Sequence, residues 1–130
     1  MAARRIYWGR VVAGGLAAEV LVFALVFPVR AAFGETAFLA SILVGSAAMP
    51  FLLALWVCRG GRPHAMLNGA LVGGVAAAFY ILLFTITAPG QSQPLLYQAA
   101  HVLKVLGGLS GGFVATRRRV STRGSAASAV

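Results

Sequence analysis

Apolar positions in this chain neither alternate nor fall on a single helical stripe; they run in four long blocks. The blocks are Val11 to Val29, interrupted only by Glu19, then Ala37 to Cys58, Met66 to Ala88 and Leu95 to Thr116. Each holds about 19–23 residues, and at ~1.5 Å per residue a helix of that length matches the ~30 Å core of a bilayer. Helices are favoured because each satisfies its own backbone in lipid. A β-barrel would show shorter, alternating segments. Between the blocks lie turn-forming stretches: Arg59-Gly60-Gly61-Arg62-Pro63, and Ala88-Pro89-Gly90-Gln91-Ser92-Gln93-Pro94. The pattern predicts an all-α membrane protein of four transmembrane helices in an up-down bundle. They form one domain over residues 1–119, followed by a disordered cytoplasmic tail over 120–130 that is rich in Ser, Ala and Gly. Pro50 falls inside the second block and predicts a kink beside Ser46.

Composition agrees. Of 130 residues, 60% are hydrophobic and 10% charged, against roughly 25% charged in a soluble domain. Charge then orients the blocks. Arg4, Arg5, Arg10, Arg59, Arg62, Arg117, Arg118, Arg119 and Arg123 flank one side, and Arg30 stands alone on the other, beside Glu35. The positive-inside rule places both termini of this multi-pass chain in the cytoplasm. The first block is too long and too interrupted for a cleaved signal peptide, so it is expected to be retained. The net charge of +9 raises nucleic acid as a partner. Because the arginines map onto membrane flanks, anionic lipid headgroups are the expected partner instead.

Lipid supplies no hydrophobic drive for helices to associate, so small residues must allow close backbone contact. Gly69 and Gly73 form one GxxxG pair; Gly107 with Gly111 and Gly108 with Gly112 form two more; Gly14 with Ala18 extends the theme. The double stripe in the last block exceeds what one neighbour needs, which keeps a partner chain or homo-oligomer in view. Gly14-Gly15-Leu16-Ala17-Ala18 returns as Gly73-Gly74-Val75-Ala76-Ala77. That suggests two repeated helical hairpins, although Gly/Ala-rich helices also resemble one another by composition alone.

Three residues break the apolar chemistry. Glu19 and Lys104 are charges inside spans, each costing roughly 2.5–3.5 kcal/mol unless it has a reason to be there. His101 precedes Lys104 by one helical turn and shares its face. If the first and last blocks touch, these form an intramembrane polar cluster, to which Tyr80, Thr85 and Thr87 offer hydroxyls. The cluster serves either as an ion pair fixing register or as a proton or cation site with His101 as a relay. No catalytic set, nucleotide loop, metal-ligand cluster or cofactor motif accompanies it, so an enzyme is not expected. The single Cys58 forms no intrachain disulfide and reads as a small apolar filler.

Gly14-Gly15-Leu16-Ala17-Ala18-Glu19-Val20 resembles the opening helix of small multidrug resistance transporters. That resemblance implies a four-helix protein whose first-helix Glu19 exchanges protons with a transported cation. The third block lacks the Trp of that family, the fourth carries Lys104, and the one-sided arginines do not suit its dual insertion. Over most of its length the chain resembles uncharacterised small bacterial four-helix membrane proteins, which implies the fold and a bacterial inner-membrane location but no activity. The expected role is a non-catalytic structural or accessory subunit packing against other membrane chains. The alternative is a small proton-coupled transporter using Glu19 with Lys104 and His101.

Overall fold

A computed structural model describes the backbone of residues 6–60 and 63–127, with side chains to Arg118. It contains three helices and, among the described residues, no strand. They are α1 (Trp8–Val57), α2 (Ala65–Thr87) and α3 (Leu95–Ala127). Each is long and apolar enough to cross a membrane, as in a membrane protein. Their outer surfaces are apolar too: Val20, Phe27, Leu52, Ile86 and Val102 are all exposed, as expected where the surroundings are lipid.

The helix count corrects the sequence reading. Four separate helices in an up-down bundle are expected; three are found, because the first two apolar blocks belong to one 50-residue helix. The physical reason lies between Val29 and Ala37. Nothing there except Gly34 opposes helix, and the charged Arg30 and Glu35 are good helix formers. Gly34 alone leaves helical geometry, at φ 82° and ψ −169°. The backbone stays helical at both Pro28 and Pro50.

The bend turns α1 back on itself, so that Gly45 of its second limb packs on Leu25 and Val22 of its first. Gly34 adopts a conformation open essentially to glycine alone. A Cβ there would meet no atom within 4 Å, so substitution strains only the backbone. Gly34→Ala is expected to cost about 1–3 kcal/mol, read as a lower thermal midpoint in detergent. A variant as stable as the parent would show that the bend does not depend on glycine.

At the other end of the bundle the chain is clasped. Asn68, fully buried at the start of α2, accepts the Tyr7 backbone N–H at 3.2 Å and donates from Nδ2 to the His64 carbonyl at 3.1 Å. The Cys58 thiol donates to the Ala65 carbonyl at 3.2 Å, and Gly112 of α3 lies against the same carbonyl. The start and end of α1, the start of α2 and the middle of α3 therefore meet at one level. Arg10, Arg59, Arg117 and Arg118 are exposed near this level. Arg4, Arg5 and Arg62 lie outside the described residues, as does the side chain of Arg119. α3 runs on through residues 120–127, which the sequence reads as disordered tail.

The glycine stripes of α3 are both used inside the chain. A Cβ on Gly107 would strike the Ala47 carbonyl, and one on Gly111 the Phe51 carbonyl, both on α1. A Cβ on Gly108 would strike the Gly69 carbonyl, and one on Gly112 that of Ala65. One stripe thus seats α3 on α1 and the other seats it on α2. The two Gly-Gly pairs of the suggested repeat are not used alike. Gly14 and Gly15 face Val57, Val72 and Val75, whereas Gly73 faces the Lys104 backbone and Gly74 faces open space.

Candidate functional site

The close approach of α3 determines where Lys104 goes. With no side chain at Gly73, α2 lies directly against the Lys104 carbonyl, and Gly107 brings the next turn of α3 onto α1. Lys104 is therefore rooted deep between the other two helices and reaches across to the first limb of α1. Its Nζ lies 2.7 Å from Glu19 Oε2, with the side chains 3% and 1% exposed. These exposures place the pair in the bundle interior, where breaking it leaves an uncompensated charge. Beyond this ion pair, no hydrogen-bond donor among the described residues reaches either oxygen of Glu19.

Tyr80 of α2 is the hub of the surroundings. Its ring holds the Lys104 ammonium at 4.8 Å from its centroid, a cation–π contact. It also stacks on Phe23 at 6.1 Å and Tyr97 at 5.8 Å, and tilts against His101 at 5.2 Å. His101 Nε2 donates to Gln93 Oε1 at 2.9 Å, which ties the cluster to the connection between α2 and α3. With Nε2 so engaged, the buried Nδ1 is left as an acceptor without a donor.

These groups line a cavity of about 250 Å³. Glu19, Ser46, His101 and Lys104 supply its polar wall. Phe23, Phe27, Phe38, Tyr80 and Tyr97 supply most of the rest. Arg30 also lines it; this side chain pairs with Glu35 at 3.2 Å, sits over the Phe38 ring at 4.9 Å, and is 55% exposed. Arg30 and Phe27, both exposed, mark the side of the cavity nearest the surface.

Glu19, Lys104 and His101 are thus together in one place, with Tyr80 among them. Thr85 and Thr87 are not: both are exposed, and their hydroxyls donate to the Ile81 and Leu83 carbonyls of their own helix. Sequence reasoning missed Phe23, Phe38, Tyr97, Arg30 and Gln93 as neighbours of the cluster. The one usable signal was that Tyr80 interrupts an apolar block. Among the described residues no group of His, Cys, Asp and Glu is arranged to hold a metal. Compared with protein-family models, with curated proteins and with solved structures, the chain matches none.

Proposed function

We propose that the protein is a small, non-enzymatic, proton-linked carrier of a bacterial cytoplasmic membrane, in which Glu19 takes up and releases the proton beside Lys104 and His101. One observation carries this reading: the Glu19 carboxylate is buried, has an oxygen that no donor among the described residues reaches, and stands on the wall of a cavity. An ion pair that served only to fix helix register would need no space beside it. A carboxylate that must be reached by a proton does.

The exposed Arg10, Arg59, Arg117 and Arg118 suit contact with anionic headgroups and support the membrane assignment. A second reading, an accessory subunit bound to other membrane chains, draws on a different feature. An open apolar groove of about 430 Å³ runs between α1 and α3, lined by Val44, Ala47, Ala48, Phe51, Leu103 and Leu106 among others. The glycine stripes lend this second reading no support, because both are occupied internally.

Purified protein reconstituted into vesicles is expected to pass protons down an imposed gradient when a panel of small organic ions is supplied outside, read by an enclosed pH-sensitive dye. The double variant Glu19→Gln with Lys104→Met keeps the bundle interior neutral and is expected to fold, with flux falling to that of protein-free vesicles. Undiminished flux through the folded double variant would overturn the carrier. Migration of the gently solubilised native protein inside a larger assembly would favour the subunit.

A further inference from the structure

The cavity holds an imbalance of charge that bears on what it takes in. Two cations, Lys104 and Arg30, line it together with a single acid, Glu19. The charge of Lys104 is committed to Glu19 at 2.7 Å. If Glu19 accepts a proton on its unpartnered oxygen, that commitment ends. The ammonium then stands buried and uncompensated against the Tyr80 ring, which carries no formal charge. Such a charge is strongly unfavourable until an anion replaces the lost carboxylate. The remaining walls are ring faces and aliphatic side chains, so the anion that fits has an apolar, flat body. Small-molecule sites commonly run ~300–1,000 Å³, and a cavity of about 250 Å³ suits a single-ring molecule better than a larger one.

Building on the carrier reading, we propose that this cavity binds small aromatic monocarboxylates, taken up together with one proton on Glu19, with Lys104 as the anion's partner. The charges balance. Glu19 gains one proton from water and becomes neutral, Lys104 keeps its proton, and the carboxylate brings one negative charge, so the net charge of the cavity is the same before and after. Arg30, near the surface and partly offset by Glu35, draws the anion toward the opening. A cation of the same shape would meet Lys104 and Arg30 with like charge.

The titratable and charged groups facing Glu19 across the cavity are Arg30 of α1, Tyr80 of α2, and Tyr97, His101 and Lys104 of α3. Only His101 offers a second route to pH dependence near neutrality, so the test separates it from Glu19. Binding of benzoate and of benzylamine to the purified full-length protein would be measured by titration calorimetry between pH 6 and 8. Benzoate is expected to bind and to tighten about tenfold per unit fall in pH, as one proton taken up per anion requires. Benzylamine is expected not to compete.

Glu19→Gln, which mimics the protonated acid, is expected to bind benzoate with no dependence on pH, and benzoate should raise its thermal midpoint. His101→Gln should keep the wild-type pH dependence. The double variant Glu19→Gln with Lys104→Met should not bind benzoate. The wild-type titration stands on its own if Glu19→Gln does not fold. Preference for benzylamine, pH-independent benzoate binding to the wild type, or benzoate binding that survives loss of Lys104 would each overturn the proposal. Proton flux without benzoate binding would remove this ligand and leave the carrier standing. Coupled binding without flux would do the reverse.

Discussion

Lys104→Met is expected to destabilise the protein by about 3–5 kcal/mol, the usual cost of leaving a buried charge without its partner. Glu19→Gln alone should cost a similar amount, because it strands the ammonium instead. The double variant should recover most of the loss, since a neutral, well-filled interior is often as stable as a buried pair. The measurement is a double-mutant cycle on unfolding in detergent or bicelles, with the coupling read as the departure from additivity. Additive single effects would mean that the 2.7 Å contact is not a working pair in solution. The cycle also supports the flux experiment, because it establishes whether the silent double variant is folded.

The second large effect concerns two adjacent glycines on α2. A methyl at Gly73 would strike the Lys104 carbonyl and come within 2.6 Å of its carbonyl carbon and 2.8 Å of Val105 Cα. Neither backbone atom yields without moving α3. Gly73→Ala is therefore expected to cost about 1–3 kcal/mol or more, as overpacking does. Gly73→Leu is expected to prevent assembly of the bundle. Gly74 has nothing within 4 Å of the same added atom, so Gly74→Ala should leave stability nearly unchanged. Thermal midpoints of the two Ala variants, made in parallel, check this. Equal midpoints would mean that α2 and α3 do not approach as closely at Gly73 as described. Gly73→Ala should also weaken the coupling between Glu19 and Lys104, because it displaces the helix from which Lys104 reaches.

Much of this was legible in the sequence, and the gaps have physical causes. The apolar blocks mark all the membrane-length helical segments, since bilayer thickness imposes a length that any apolar run reveals. They do not reveal that the first two are continuous. Arg30 and Glu35 look like a loop by polarity, yet their backbone preference is helical, and only Gly34 turns the chain. Glu19 and Lys104 were conspicuous because charge in an apolar block is costly. Their contact was not legible, because it depends on which helices touch, and that depends on where Gly73 and Gly107 meet backbone. Polarity alone cannot nominate Phe23 or Phe38, which are ordinary in an apolar block. Arg30 reads as a flank residue for the same reason that it sits near the cavity opening. Asn68 is a lone amide at the start of an apolar block, and its bond to the Tyr7 backbone joins residues far apart in sequence.

The order of synthesis gives the ion pair a further meaning. Glu19 leaves the ribosome well before Lys104, and at roughly 5–20 residues per second the intervening chain takes on the order of ten seconds to make. During that interval α1 is in the bilayer with the acid lacking its partner, at a cost of roughly 2.5–3.5 kcal/mol if it is charged. The arrival of α3 ends this state, and α3 is held by glycine contacts to both other helices. Until α3 has docked, the acid of α1 is a membrane-embedded charge without its partner, so the helix made after the other two is the one that makes the bundle interior electrically whole.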